Sequence, residues 1–487
     1  MKDSIIIGAA AVAVALSAGA EPFTAESEKG NARPAIVAVD FSEDCGPVKP
    51  MNAVNNGPTD RAGFRQHDNF ETWKAARIPY GRTHDASEYI VYGGDHCVDI
   101  TAIFPNFDAD ENDPKNYDFA VTDVYLRNMR EAGTEPFFRL GQRIEHSARR
   151  YNIYPPKDYA KWARICEHII LHYNHGWADG YEWNIRYWEI WNEPDGDWEI
   201  KKKPLPNTWG GTSLQFFEFY ETAAKYLKGR FPDLKIGGPA LAGTMEWADK
   251  FFAYQHEHKT PVDFFSWHSY NRKPEFFVYL AKVARGILEK YGYEKAESIL
   301  NEWNYIKGWK EEYHHSIMTL ASQKGAAFAA ASMIACQHAP VDMLMYYDAK
   351  PDAHFNGMFD KVSLMPLKPY YAIYAWGSFA AMCDRSVKVS SDVPDIYAVA
   401  GRGADRRRAI FLARYSDDDN FASKRLVTVR LSKGTFPREV TSHITDDVRT
   451  YTEMKMWPAG PTELSFRMAP HSFTMLEYIE PPARDGN

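Results

Sequence analysis

From residue 69 onward the chain alternates two apolar patterns: stretches in which apolar positions recur every three or four residues, and short apolar runs of strand length. The first pattern predicts helices over 69–76, 118–132, 157–173, 214–228, 246–256, 274–290, 316–337 and 370–382, with Ser213 as the N-cap of the fourth. The second predicts strands over 78–82, 136–140, 185–191, 234–237, 262–267, 297–300 and 341–347. Such alternation over this length implies an α/β fold, a (β/α)8 barrel in which each strand is followed by a covering helix. An earlier run, 35–40, alternates like a strand, but a Gly/Pro/Asn-rich stretch (46–57) cuts it off from the barrel pattern. It is expected to join the C-terminal part. Past Arg385 short β-rich runs (396–400, 408–415, 426–431, 463–467, 472–479) alternate with Gly, Asp and Pro turns, predicting a small β-sandwich. The expected layout is a signal peptide (1–20), a segment joining the sandwich (21–46), the barrel (47–384) and the sandwich domain (385–487).

The start of the chain changes the picture of where it acts. Lys2, the apolar run from Ile5 to Leu16 and the small residues Ala18-Gly-Ala20 read as an export signal, too short to span a bilayer. A periplasmic or secreted product is expected, with no membrane span. The formal charge of −8 disfavours a nucleic-acid partner, and Arg406-Arg-Arg408 reads as a solvated hairpin tip. Five scattered cysteines (Cys45, Cys97, Cys166, Cys336, Cys383) are too few and too spread to form a disulfide framework. His172-x-x-His175 and His256-Glu-His258 come closest to metal spacing but lie in polar or helix-end stretches, so no metal and no cofactor is expected.

The candidate chemistry lies in two runs that end on a glutamate, Tyr187-Trp-Glu-Ile-Trp-Asn-Glu-Pro194 and Ser298-Ile-Leu-Asn-Glu-Trp-Asn-Tyr305. In the barrel count Glu193 ends the fourth strand and Glu302 the seventh, which places them across the barrel mouth from one another. Hydrolysing a glycosidic bond requires one carboxyl to protonate the leaving oxygen and a second to act at the anomeric carbon, a task for such a pair. Glu189, four residues before Glu193, is expected deeper in the barrel beside a cation such as Arg139. Aromatic residues make up 15 % of the chain, a surplus suited to stacking on the apolar faces of sugar rings. Trp198, Trp209, Trp303 and Trp309 follow strand ends or lie in loops and are candidates for such stacking.

Trp191-Asn-Glu-Pro194 resembles the acid/base signature of the glycoside hydrolase clan built on (β/α)8 barrels. The surrounding pattern is most similar to glycoside hydrolase family 39, the β-xylosidase and α-L-iduronidase family, through Gly81-Arg-Thr-His84, Phe264-Phe-Ser-Trp-His-Ser-Tyr270 and Ile299-Leu-Asn-Glu302. The resemblance implies that Glu193 is the acid/base and Glu302 the nucleophile. It implies that Asn192 binds the sugar 2-hydroxyl, that Tyr270 holds Glu302 ionised, and that His84 and His268 line the sugar subsite. Family members often carry Trp at the eighth strand end; here Met345-Tyr-Tyr-Asp348 stands there, making Tyr347 the substrate-binding candidate, together with Trp303 beside the nucleophile. Asp85 replaces the small residue usual after the second-strand His.

The expectation is an exported retaining exo-glycosidase that takes an oligosaccharide or glycoside as its partner, most simply a β-xylosidase-like enzyme on plant-derived oligosaccharides. An α-L-arabinosidase, β-galactosidase or α-L-iduronidase-like uronidase keeps the same fold and glutamates, and a uronidase would need cations such as Arg82 or Arg272-Lys273. A non-catalytic carbohydrate-binding barrel would not require a carboxyl pair. Oligomeric state is left open.

Overall fold

The computed structural model describes residues 33–59, 68–84, 98–196 and 205–482. The expected export signal, Trp198, Cys97 and Asp85 lie outside the described residues. Strand β1 (Ala35–Pro47) precedes the barrel, which is closed by eight parallel strands: β2 (Ala53–Asn55), β3 (Tyr80–Arg82), β4 (Glu135–Leu140), β5 (Tyr187–Ile190), β6 (Lys235–Leu241), β7 (Phe264–Asn271), β8 (Glu297–Tyr305) and β9 (Met343–Tyr346). The first of these, β2, falls inside the Gly/Pro/Asn-rich stretch and is three residues long. Too short to show a periodicity, it is recognisable only by its pairing with β3 on one side and β9 on the other.

The helices are α1 (Phe70–Ala75), α2 (Ile100–Ile103), α3 (Ala120–Glu131), α4 (Tyr159–His175), α5 (Ser213–Arg230), α6 (Met245–Glu257), α7 (Pro274–Lys290), α8 (Tyr313–Leu320), α9 (Gln323–Gln337) and α10 (Lys368–Met382). The N-cap of α5 is Thr212 rather than Ser213. Its hydroxyl accepts from the Gln215 N–H while the Gln215 side chain accepts from the Thr212 N–H, a reciprocal capping box. The segment expected as one helix over 316–337 is two, because the Ser322 side chain accepts from the Gly325 N–H and starts a new helix there. Helix α9 is buried on nearly all sides, since it lies between α7 and α10 of the barrel and three strands of the C-terminal part beyond. Its Gly325, Ala326, Ala327, Ala329, Ala330 and Ala331 permit that close approach from every direction.

The strands after the barrel are β10 (Arg385–Ser391), β11 (Ile396–Arg402), β12 (Arg407–Arg414), β13 (Arg425–Lys433), β14 (Val440–Thr445), β15 (Thr452–Met456), β16 (Glu463–Met468) and β17 (Ser472–Ile479). They hydrogen-bond with β1 into one nine-stranded sheet, ordered β15-β14-β17-β12-β11-β10-β1-β13-β16. Strand β1 runs antiparallel to β10 and parallel to β13, with Val37 opposite Ser391 and Val429. The sheet folds over on itself: Ile410 and Leu412 of β12 share a core with Val427 and Val429 of β13 and Leu464 of β16, although β12 and β13 are not neighbours. The opposite face of β12, carrying Ala409, Phe411 and Ala413, belongs to the same continuous core as the barrel helices. The two parts of the molecule are therefore packed through shared apolar contacts. No described helix is long and apolar enough to cross a membrane.

Inside the barrel the floor is apolar, formed by Ala53, Phe137, Tyr187, Phe264, Ile299, Met343 and Met345, one or two from nearly every strand. Toward the C-terminal ends of the strands the inward positions become charged and amide-bearing. Side chains alternate in and out along a strand, so Arg82 and His84 follow Tyr80, and Glu189 follows Tyr187.

Candidate active site

Arg82 organises the barrel interior and is fully buried. Its Nε donates to Glu189 Oε2 at 2.6 Å, Nη1 to Glu302 Oε1 at 2.8 Å and Asn55 Oδ1 at 3.2 Å, and Nη2 to Asn192 Oδ1 at 2.7 Å. A planar guanidinium with rigidly directed N–H groups suits this role, which a lysine point charge would not fill. Glu189 therefore takes Arg82 as its cation, with Asn301 Nδ2 donating to its second oxygen at 2.6 Å. Arg139 pairs instead with Asp99 at 3.1 Å, because the loop carrying Asp99 bridges to Gly141 just past β4. Arg82 is also occupied as a candidate for a sugar carboxylate, and Arg272 is paired with Asp417 at 3.3 Å.

Glu302 lies not at the tip of β8 but three residues before its end. Register shifts against β7 and β9 mark a bulge at Asn301–Glu302. Strict alternation from inward Ile299 would turn Glu302 outward and Trp303 inward. The bulge reverses this, so Asn301 and Glu302 both face the barrel axis. Trp303 is thrown outward, fully buried among Phe277, Phe328 and Tyr346, and the sequence assignment of Trp303 to the sugar is corrected accordingly. Glu302 is held from both sides, Oε1 by Arg82 and Oε2 by the Tyr270 hydroxyl at 2.8 Å, with His84 Nε2 3.4 Å from Oε1. Burial pushes its carboxyl above the ordinary value, against which His268, Arg82 and the Tyr270 hydrogen bond act.

A second backbone irregularity sets Glu193. Trp191 (φ 73°) and Glu193 (φ 48°) adopt left-handed conformations that side chains seldom take. Ile190 and Trp191 consequently both face the outer layer, where Trp191 meets Trp209 and Phe219, and Asn192 returns to the interior. The Asn192 Nδ2 is a buried donor with no hydrogen-bond partner in the protein. Trp209, a stacking candidate, is buried in the outer layer with Trp191 and Phe216.

His268 Nδ1 lies 2.8 Å from Glu193 Oε1 and 3.4 Å from Glu302 Oε2. Burial presses the imidazole down to about 4, so it is neutral at physiological pH. The proton between His268 and Glu193 then resides on whichever partner the ionisation of Glu193 dictates. Burial likewise holds His84 well below, and Tyr270 well above, their ordinary values. Carboxylate oxygens of Glu193 and Glu302 approach within 4.8 Å, with the imidazole inside the same radius. Among the described residues this is the one group compact enough to hold a cation. Both Glu302 oxygens are already engaged, one by a guanidinium that repels a metal ion, and we assign no metal here. The glutamates differ in environment: the Glu193 side chain is 20 % exposed and Glu302 5 %.

Tyr347 lies in the wall, its ring 5.9 Å from His84, 6.3 Å from Tyr270 and 5.8 Å from Phe355. Trp309 stands edge-on to Tyr270 at 5.6 Å, extending the aromatic wall outward. Seven of the eight sequence-assigned site residues thus converge, and Trp303 does not. Phe355 and Asn55 had no local signal, and Asn301 stood only as the neighbour of Glu302 in the Ile299-Leu-Asn-Glu302 run. Arg82 had one: two residues before His84 on a barrel strand, it had to face the same interior.

Tyr270→Phe is expected to reduce kcat by roughly ten- to hundredfold, the loss of one hydrogen bond to a charged group. Without this hydrogen bond, which holds it down, the Glu302 carboxyl rises further above its ordinary value. Activity requiring an ionised Glu302 is present above its pKa and lost as pH falls through it, so the acid limb of kcat/KM should move to higher pH. A pH–rate profile of the variant checks this.

An eight-stranded barrel with paired carboxylates on its fourth and seventh strands is the arrangement of the barrel glycoside hydrolases. The chain belongs to the glycosyl hydrolases family 39, whose model matches residues 35–362. It is 30% identical over 187 residues to a β-xylosidase of Geobacillus stearothermophilus, covering 36% of this chain and 35% of that one. It is 28% identical over 249 residues to a β-xylosidase of Caldicellulosiruptor saccharolyticus, covering 47% of this chain and 48% of that one. The matches thus span half or less of these curated relatives. A glucosidase structure from Croceicoccus marinus shares the fold with a TM-score of 0.72 at 23% identity, over 91% of this chain and 98% of that one.

Proposed function

We propose that the protein is an exported retaining exo-glycosidase that releases a β-xylosyl or related pentosyl unit from an oligosaccharide by double displacement. The observation carrying this is the approach of Glu193 and Glu302 to within 4.8 Å. Retaining enzymes hold their carboxyls ~5–5.5 Å apart, whereas inverting ones leave ~6.5–9.5 Å for a water. Glu302, fixed by Arg82 and Tyr270, attacks the anomeric carbon, and Glu193, the more exposed of the two, protonates the departing oxygen. Glu193 then removes a proton from the water that cleaves the glycosyl-enzyme. Asn192 donates its unpartnered Nδ2 to the sugar 2-hydroxyl, a contact that strengthens as the oxocarbenium ion develops.

The xylosyl preference is supported by the two β-xylosidase relatives. The pairing of Arg82 and Arg272 with protein carboxylates speaks against a uronic acid in the same subsite. Export is inferred from the apolar run after Lys2. A panel of 4-nitrophenyl glycosides, with proton NMR of the first-formed sugar, tests the proposal. The β-xyloside should be cleaved best and the product should keep its anomeric configuration. An inverted product overturns the covalent mechanism, and preference for another sugar overturns the xylosyl assignment.

A further inference from the structure

The turn carrying Glu193 is strained, with left-handed backbone at Trp191 and Glu193 and again at Ala240 (φ 54°) on the neighbouring β6, so the structure around it must hold it in place. The Glu193 N–H donates to the Ala240 carbonyl at 2.8 Å, and the Gly196 N–H closes the turn on the Glu193 carbonyl at 2.9 Å. A further tie is a side chain. Asp195 is fully buried, and its Oδ1 accepts from the Ala242 N–H at 2.8 Å while Oδ2 accepts from the Thr244 N–H at 3.0 Å. Thr244 caps α6, so this carboxylate clamps the Glu193 turn to the β6–α6 loop. Strand β6, just before that loop, is anchored in turn on β7, where Ser266 Oγ, two residues before His268, accepts from the Ala240 N–H.

We propose that Asp195 is a positioning residue for Glu193: its carboxylate fixes the turn that presents the acid, and its negative charge favours the protonated, proton-donating form of Glu193. This rests on the reading of Glu193 as acid/base. A like charge nearby disfavours ionisation. The titratable groups facing Glu193 include His268 and Tyr270 of β7, Glu302 of β8, and Asp195 on its own turn. Arg82 is held instead by Glu302, Glu189, Asn192 and Asn55. Burial pushes Asp195 up to about 6, so it is charged through neutral and alkaline pH, where Glu193 must be kept from losing its proton. The acid form is needed only to expel the leaving group, so the effect of Asp195 should depend on how much that group needs a proton.

The test compares Asp195→Asn, Thr244→Pro and Glu193→Ala on phenyl and 2,4-dinitrophenyl β-xylosides, using kcat/KM, which reports the first displacement. Thr244 has φ −83°, close to what proline adopts, so Thr244→Pro deletes both the N–H and the hydroxyl that Thr244 offers Asp195 and leaves the carboxylate itself in place. Asp195→Asn should lose on the order of a hundredfold on the phenyl glycoside, the scale of a misplaced catalytic group. It should lose less than about threefold on the dinitrophenyl glycoside, whose leaving group departs unaided. Its alkaline limb should move to lower pH, since Glu193 then ionises more easily. Thr244→Pro should show the same leaving-group selectivity with its alkaline limb unmoved. Equal losses on both substrates, or an unmoved alkaline limb in Asp195→Asn, overturn the proposal. Should Asp195→Asn fail to fold, Thr244→Pro decides, and equal losses there overturn it. If Glu193→Ala itself shows no dependence on leaving group, the acid/base assignment has failed and the proposal falls with it.

Discussion

Glu193→Ala is expected to lose roughly 10²–10⁴-fold in activity on natural glycosides, the contribution of a positioned general acid. It should still form a glycosyl-enzyme from a 2,4-dinitrophenyl glycoside, whose phenolate needs no proton. Breakdown of that intermediate then slows for want of a base. Azide needs no base and enters where the Glu193 side chain, 20 % exposed, has been removed, so it should restore turnover and yield a glycosyl azide of retained configuration. Glu302→Ala should behave oppositely. The variant lacks the attacking oxygen and leaves the buried Arg82 without one of its carboxylates, so neither substrate gives a glycosyl-enzyme. Azide then displaces the leaving group directly and gives the inverted product. If the products are exchanged between the variants, the two roles are reversed.

Arg82→Met should damage the molecule twice over. Glu189 is fully buried and would keep only the Asn301 amide as a donor, and an uncompensated buried charge of this kind costs ~3–5 kcal/mol. A fall of that size in urea-unfolding free energy is expected. Glu302 and Asn192 would also lose the guanidinium that aligns them, so the folded fraction should be nearly inactive even at temperatures where it persists. Adding Glu189→Gln removes the orphaned charge and should return much of the stability without returning activity. If stability changes by less than about 1 kcal/mol, or if Glu189→Gln restores none of it, Arg82 and Glu189 are not the coupled pair described here.

The strand-helix rhythm and the two glutamate-bearing runs were legible in the chain because they depend on local pattern alone. Apolar spacing identified seven of the eight barrel strands and the helices between them, and Asn192, Glu193 and Glu302 stood out by sequence. Strand β2 did not, since three residues carry no period. The break between α8 and α9 was hidden because a serine inside an alanine-rich helical run reads as helix until its hydroxyl is seen capping the next turn. Strands β10, β14 and β15 were likewise seen only through their partners, as was the continuity of all nine outer strands into one sheet.

By itself the sequence determined the barrel, the order of its elements and the two carboxylates that face one another across its mouth, because periodicity and strand ends are properties of neighbouring residues. Only the tertiary structure decided how these side chains are turned into the site, which one is turned away and what holds them. The bulge in β8 turns Glu302 inward and Trp303 outward, and left-handed backbone at Trp191 returns Asn192 to the interior. Arg82 takes Glu189, Glu302 and Asn192 together, although it and its partners come from three different segments of the chain. A bulge is set by the register of adjacent strands, and a buried cation's partners by which carboxylates reach it across the barrel. Both depend on contacts between residues far apart in the chain, which no local pattern encodes.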